Sequence, residues 1–416
     1  SIESYRLLRD WLEGERATCR VDSRQDGDLD VETAILDLAG ERYRHVRKKY
    51  PNPLKEALSI DMLPVVTPIA VEADARLFPS GDNWEDSHAL FESYMPAMRN
   101  RIKDETGVFV PGVRFRGDQG DLPMNSYLIL INEVPLVIGT VQPERKFYPR
   151  VSGHAGGTVP KDLAFNPRTG LSDGAWLEND DPLAKAAPFN GWDCFEYITY
   201  HVEAVLRANL ASFLGLQEVS NHLERWQMES DEEENKRREN LIEEALPDRR
   251  TRICFMQVLQ GLVKETAPIT NMLAILRAFN TRESNDKEVN RVIEAVRLQI
   301  KGELPGNDQE SVFFYLSAAF EEEVNAWVSR RHDKVSFAIA PEPTQELLSA
   351  VRNAIGNKTE SVTIVTRTEG IRPFVRRLIE LEFPRVMVLS SQELKPEFHQ
   401  RVSGSIEHER EEVKQS

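Results

Sequence analysis

The sequence predicts a mixed α/β chain with an all-helical part set within it. Three observations predict this. Two strand-like runs, Tyr127 to Ile131 and Pro135 to Val141, flank a short turn. From 217 to 302 apolar residues recur at helical spacing. After Pro305, strand-like and helix-like runs alternate. The expected architecture has four subdomains: an α/β subdomain (61–141 with 197–215), a small inserted one (142–196), a helical one (216–303) and a C-terminal β-α-β-α-β one (304–400). An N-terminal helical annex or linker (1–60) precedes them and a charged tail (401–416) follows.

In the annex, Tyr5–Leu12 and Glu32–Tyr50 have helical spacing. Between them, Asp22, Asp26, Gly27 and Leu29 fall at calcium-loop positions. Arg24 stands where an oxygen ligand belongs and Thr33 replaces the bidentate Glu, so an acidic linker is the favoured reading. Leu90, Phe91, Tyr94, Met95, Met98 and Ile102 make a helical stripe, with a kink at Pro96 and a C-terminal cap at Gly107. A hairpin follows, its turn at Asn132-Glu133-Val134. Residues 142–190, rich in Pro, Gly and Asn, are expected to be irregular. A helix is expected from Phe195 to Leu214, ending at Gly215.

Within the helical part, Phe255, Leu259 and Leu262 form one stripe, and Ile269, Met272, Leu273 and Leu276 another, with Pro268 suited to the first turn of the second helix. Val289, Val292, Ile293, Val296 and Ile300 form a third, and Asp231–Glu239 reads as a solvated face laced with i,i+4 ion pairs. Beyond Pro305 the pattern predicts helix 313–328, strand 335–340, helix 344–355, strand 361–366, helix 371–382 and strand 385–390, in a small parallel sheet with right-handed crossovers. Residues from Gly404 on are expected to be a frayed charged tail.

Composition narrows the function. At 40% hydrophobic and 29% charged the chain is an ordinary globular one, and its formal charge of −16 repels nucleic acid. Cys19, Cys194 and Cys254 are odd in number and widely spaced, giving neither a metal set nor a disulfide framework. Cys194 and Cys254 are expected to be buried, inert thiols. The longest apolar stretch, Met62 to Val71, is interrupted by Pro64 and Pro68 and falls far short of the ~20 residues that span a bilayer. No nucleophile elbow, zinc-protease or P-loop motif occurs. Gly153-His154-Ala155-Gly156-Gly157 reads as a flexible loop. The Arg367–Gly370 loop, at a parallel strand's carboxyl end, lacks a phosphate fingerprint. His201, on an apolar-striped helix, reads as a locally hydrogen-bonded core residue. No metal, cofactor or enzymatic activity is expected.

A series of phrases, in order over residues 66 to 400, then points to a family. Phe109-Val110-Pro111-Gly112-Val113-Arg114-Phe115-Arg116 is similar to V-P-x-V-R-I-R-D, and Leu122-Pro123-Met124-Asn125-Ser126-Tyr127 to L-x-x-N-x-Y. Gly139, Gly170-Leu171 with Trp176-Leu177, and Leu214-Gly215-Leu216-Gln217-Glu218 follow, then the striped helices of 256–279. Ile371-Arg372-Pro373, Phe383-Pro384, Val388-Leu389-Ser390 and Glu393-Leu394 complete the series. In these phrases the chain resembles the FHIPEP family, the export-gate proteins of flagellar and injectisome type III secretion.

The resemblance implies a non-enzymatic docking platform with four subdomains. It implies a homo-oligomeric ring, nonameric in the family, under a membrane channel at the cytosolic face of the bacterial inner membrane. Export chaperones with their cargo, and other export-apparatus proteins, are the implied partners, and membrane attachment is expected only through a domain preceding Ser1. The family's docking phrase D-x-A-F reads Asp162-Leu163-Ala164-Phe165 here, so Asp162 and Phe165 are carried over as partner-binding residues. A third docking position falls at Tyr200, where a larger ring stands than the small hydroxylated residue of the flagellar branch. The alternatives are that Phe165 packs the insertion's own core, and that the chain is a stand-alone adaptor or scaffold outside secretion. An enzyme using the C-terminal α/β part is a further rival.

Overall fold

In the computed structural model, strand β1 (Ile69–Asp74) is buried along its whole length because it has a strand on each side. The structure describes residues 66–77, 89–118, 122–149, 163–187, 190–228, 231–281, 289–331, 334–337, 341–356, 362–383 and 386–407. The annex with its calcium-loop residues, Cys19, Gly153–Gly157 and Asp162 lie outside them. The described residues form two units. One holds those up to Lys103 with Phe109–Asn209, the other Asp104–Val108 with those from Leu210 on.

In the first unit, β1 pairs in parallel with β2 (Arg114–Asp118) and antiparallel with β3 (Ser126–Ile131), which pairs with β4 (Val134–Thr140), giving the order β2-β1-β3-β4. The two faces of β1 differ. Ile69, Val71 and Ala73 alternate with Ala70, Glu72 and Asp74, and all six are buried. Buried carboxylates need partners. Arg116 reaches Glu72 at 3.2 Å and grips both oxygens of Glu133, at 2.5 and 2.9 Å, while Arg76 pairs with Asp74 at 2.9 Å. Burial pushes the Glu133 carboxyl up, but the hydrogen bonds and charge of Arg116, aided by Thr67, outweigh it and hold it at about 2.

Glu133 sits in the turn between β3 and β4. The turn has two residues, Asn132 and Glu133, rather than the three expected, and Val134 belongs to the strand. Both turn residues have positive φ, 50° and 64°, the primed geometry that matches strand twist. Asn accepts that conformation readily; Glu133 is held in it by Arg116 and by the Thr67 N–H at 3.1 Å.

The helix expected near Pro96 is α1 (Met95–Thr106), preceded by one π-helical turn, Leu90–Tyr94. The widened turn lies just ahead of Pro96, which has no N–H to give the preceding turn. Residues 142–190, expected to be irregular, instead form a small sheet in the order β5-β7-β6: β5 (Lys146–Tyr148), β6 (Ala164–Asn166) and β7 (Leu171–Leu177). A one-turn helix α2 (Pro182–Ala186) follows, then α3 (Cys194–Ala208), capped by Asp193, which accepts from Glu196 N–H at 2.8 Å. A 3₁₀ turn at Leu210–Phe213 replaces the expected continuation of that helix to Leu214.

The second unit opens on the expected helical part: α4 (Leu216–Met228), α5 (Glu232–Ala245), α6 (Arg249–Lys264), α7 (Met272–Asn280) and α8 (Val289–Gln299). The charged face of α5 carries the i,i+4 pairs Arg237–Glu233 and Arg238–Glu234. Phe255, Leu259, Leu262, Ile269, Met272 and Leu276 are all buried, and Phe279 meets Phe255 edge to face at 5.0 Å. Pro268 is not in the first turn of α7. That helix begins later, capped by Asn271, which accepts from Ala274 N–H at 3.1 Å, and residues 265–271 form the link. Ile269 N–H donates from this link to Thr106 O at 2.8 Å. Gly107, at φ +79° beside Ile269, has no room for a side chain, since a Cβ would stand 2.8 Å from the Ile269 backbone.

The C-terminal sheet is wholly parallel as expected, but its strands differ. Its order is β12-β11-β8-β13, with β8 (Val312–Leu316), β11 (Val362–Thr366), β12 (Met387–Ser390) and β13 (Val402–Ile406). The run VFFYL, read from the sequence as the start of a helix, is strand β8. A continuous apolar run fits a strand flanked on both sides as well as it fits a helix. The helix that follows is α9 (Ala318–Trp327). The segment expected as the first parallel strand forms a separate antiparallel hairpin, β9 (Val328–Arg331) with β10 (Lys334–Phe337). Val402–Ile406, partly expected as tail, is an edge strand paired with β8. Helices α10 (Pro341–Ile355) and α11 (Arg372–Ile379) complete this part, whose core includes Phe314, Phe320, Leu347, Ile364 and Val375.

A buried ionic cluster ties α6 and α8 to α11 and to the turn after β12. Arg372, 1% exposed, donates to Glu294 at 2.7 Å and to Glu265 at 2.6 Å; Arg297 pairs with Glu393 at 2.6 Å and with Glu265 at 3.2 Å. Arg372→Met should cost about 3–5 kcal/mol, because it leaves the largely buried Glu294 without its paired cation and takes one of two cations from Glu265. Denaturant unfolding of the variant against the parent at neutral pH measures this.

Candidate docking site

Helix α3 turns an aromatic face toward the small sheet. Tyr197, Tyr200 and His201, at i, i+3 and i+4, share that face. Beneath it Phe147 of β5 packs against Trp176 (5.5 Å between centroids), Trp192 (5.3 Å) and Tyr197 (4.9 Å). The packing needs Gly174 in β7, since a Cβ there would run into the Phe147 ring. Phe147 and Trp192 also exchange backbone hydrogen bonds, each 2.8 Å, which fasten the approach to α3 onto the edge of β5.

Strand β6 carries Phe165 across this face. The Tyr197 hydroxyl donates to Phe165 O at 2.7 Å, and the Phe165 ring lies against His201 with centroids 5.5 Å apart. The loop after β6 is shaped by Asn166, which is buried. Its amide donates to Asp173 at 2.8 Å, its side-chain oxygen accepts from Arg168 N–H at 3.0 Å, and its carbonyl accepts from Gly170 N–H at 2.7 Å. Gly170 takes φ +65° there. Phe165 remains 42% exposed, flanked in sequence by Leu163 at 41%. The insertion's own cluster is Tyr148, Ala175, Leu177 and Ala184, without Phe165. Phe165 is thus a half-exposed ring on an aromatic platform.

Tyr200 is half-buried. Its ring leans on Trp192 at 4.4 Å, the guanidiniums of Arg168 and Arg101 lie 5.0 and 5.7 Å from its centroid, and its hydroxyl donates to Glu196 at 3.3 Å. Phe165 and Tyr200 are therefore joined through neighbours, Phe165 through His201 and Tyr200 through Arg168 in the turn after β6. His201 is the core histidine the sequence suggests, with Nδ1 2.6 Å from the buried Tyr127 hydroxyl. Tyr197, Trp192 and Arg168 were not singled out in the sequence. The aromatic i, i+3, i+4 spacing of 197, 200 and 201 was the available signal.

The other candidates hold little chemistry. Cys194, at the start of α3, and Cys254 on α6 are half-buried thiols outside any disulfide, rather than fully buried ones. In the loop after β11, the Arg367 and Thr368 N–H groups donate to Glu321 at 2.6 and 3.1 Å, and so does the Thr368 hydroxyl at 2.9 Å. A carboxylate of the chain thus occupies those donors. Among the described residues no group of three His, Cys, Asp or Glu side chains could hold a metal ion, and no helix is long and apolar enough to cross a membrane.

The sheets and the helical part together make a fold known from other proteins. Residues 31–399 match the model of the FHIPEP family, and the chain belongs to that family. It is 26% identical over 322 residues to the flagellar biosynthesis protein FlhA of Caulobacter vibrioides, covering 74% of this chain and 44% of that protein. It is 27% identical over 333 residues to the low calcium response locus protein D of Yersinia pestis, again covering 74% and 44%. The chain thus spans about half the length of the relatives it matches. The solved structure of the Chlamydia pneumoniae CdsV protein covers 84% of this chain and all of its own, at TM-score 0.67 and 23% identity. That of nonameric EPEC SctV-C covers 83% of this chain and all of its own, at TM-score 0.63 and 19% identity.

Burial holds the His201 imidazole down at about 4. Its folded value lies below the ordinary 6.5, so its contribution to stability is complete above about 6.5 and is lost as pH falls through 4. A ring-proton NMR titration should place its midpoint near 4, with the ring neutral at pH 7.

Proposed function

We propose that the chain is the ring-forming docking platform of a type III secretion export gate. It receives chaperone–cargo complexes and passes cargo to a membrane channel, and its role is binding rather than catalysis. Membership of the FHIPEP family supports this, as do likenesses to nonameric SctV-C and to the nonameric cytosolic domain of EscV from a type III secretion system. In this reading the four subdomains are those drawn from the sequence, the ring is a nonamer, and it lies at the cytosolic face of the inner membrane beneath a preceding membrane domain. Chlamydial CdsV, described in complex with CdsO, supports other export-apparatus proteins as further partners.

The observation that carries the docking role is the half-exposed Phe165 ring seated on His201, its backbone held by Tyr197. A large apolar side chain left partly in water on a rigid support is the anatomy of a binding hot spot. Asp162, outside the described residues, would give this anchor a carboxylate rim, and Tyr200 would form its neighbouring wall.

Phe165→Ala should weaken capture of chaperone–cargo complexes about tenfold or more while leaving the unfolding midpoint nearly unchanged. Calorimetric titration with purified type III export chaperone–cargo complexes measures the first, and thermal unfolding the second. Unchanged affinity for every such complex would remove the docking assignment. Mass photometry across a concentration series addresses the ring separately, through species at nine times the protomer mass.

A further inference from the structure

Beside Phe165 the surface holds one polar group of defined direction. His201 is 5% exposed, and its Nδ1 lies 2.6 Å from the Tyr127 hydroxyl. Tyr127 is fully buried, with its ring pressed against Gly139 of β4, where no Cβ would fit. Burial pushes its phenol well above the ordinary range, so it keeps its proton. The phenol makes no other hydrogen bond among the described residues. If Nδ1 carried the imidazole proton and donated to Tyr127, the phenolic proton would be left without an acceptor in the core. The hydroxyl therefore donates to Nδ1.

That assignment fixes the other edge of the ring. The neutral imidazole has one proton, and it must sit on Nε2, which faces away from Tyr127. Nε2 has no hydrogen-bond partner among the described residues, and the residue keeps 5% of its exposure. The Phe165 ring lies against the same imidazole at 5.5 Å. An apolar anchor and a single N–H donor thus stand side by side, with the donor's tautomer set from below.

We propose that His201 is a specificity-determining residue of the Phe165 site, its Nε2–H donating to an acceptor oxygen on the segment that docks there. This rests on the docking reading above and adds the partner's chemistry: an apolar side chain with a backbone carbonyl or carboxylate oxygen within reach of it. A segment presenting only donors beside its apolar group leaves Nε2–H desolvated and unpaired. One such hydrogen bond corresponds to about a fivefold difference in affinity.

Two measurements on the whole chain test this. Ring nitrogen NMR at pH 7 should show His201 protonated at Nε2 and accepting at Nδ1, and Tyr127→Phe should release the second tautomer. A His201 protonated at Nδ1 in the parent overturns the proposal. Titration with N-acetyl-leucine methylamide and with isoamylammonium, the same branched chain with donors only, then probes recognition. The amide should shift the His201 Nε2 and Phe165 signals and bind about fivefold more tightly. Equal binding of both at Phe165 overturns the role of His201 and leaves the docking site standing. Binding of neither probe at Phe165 overturns the proposal, while the docking reading is still decided by the chaperone titration of Phe165→Ala.

Discussion

Among the described residues Arg372 is the largest fully buried side chain, and the second unit is organised around the need to neutralise it. A guanidinium taken out of water is stable only among carboxylates placed to meet its planar donors. Those carboxylates, Glu265 and Glu294, come from the end of α6 and from α8, which precede Arg372 by 107 and 78 residues. Arg297 adds Glu393 from the turn after β12. Apolar packing is tolerant of small rotations, whereas charged hydrogen bonds of this length fix direction. The helical part and the parallel sheet are thereby held in one register. The same logic recurs in the first unit, where Arg116 joins β2 to Glu72 of β1 and to the β3–β4 turn.

The docking face depends on a different balance. Its aromatic rings are supported from one side only. Phe147, Trp176 and Trp192 fill the space under α3, Tyr197 clamps the carbonyl of Phe165, and the ring of Phe165 is left partly in water. Holding the backbone of an exposed anchor with a buried hydroxyl lowers the entropy that a partner must remove on binding. In the proposed docking role Phe165 is then a preformed anchor rather than one assembled by its partner.

Much of this was legible in the sequence, and the exceptions have physical causes. The helical stripes of 255–276 and 289–300 were visible because one buried face imposes a period, and the hairpin around Asn132 because two apolar runs flank a short turn. Strand β8 was misread because it is flanked by strands on both sides and its apolar run has no period to display. Strand β13 lies where the sequence predicts a charged tail, because Ser403 and Ser405 face outward and only the backbone pairing declares it. The small sheet was missed because strands of three residues are too short to show alternation. At the site, a phrase of four residues located Phe165, and the shared face of α3 held Tyr200 and His201. The support from Tyr197 and Tyr127 comes from contacts 32 and 74 residues apart, which no local pattern encodes.

Open parallel sheets commonly bind small molecules at the carboxyl ends of their strands, where loop amides await an anion. In this chain Glu321 reaches those amides first. The lobe is in effect permanently saturated, carrying a covalently attached substitute for the ligand such a crevice would otherwise await. The loop therefore takes its shape from within the chain, with no bound anion needed to hold it.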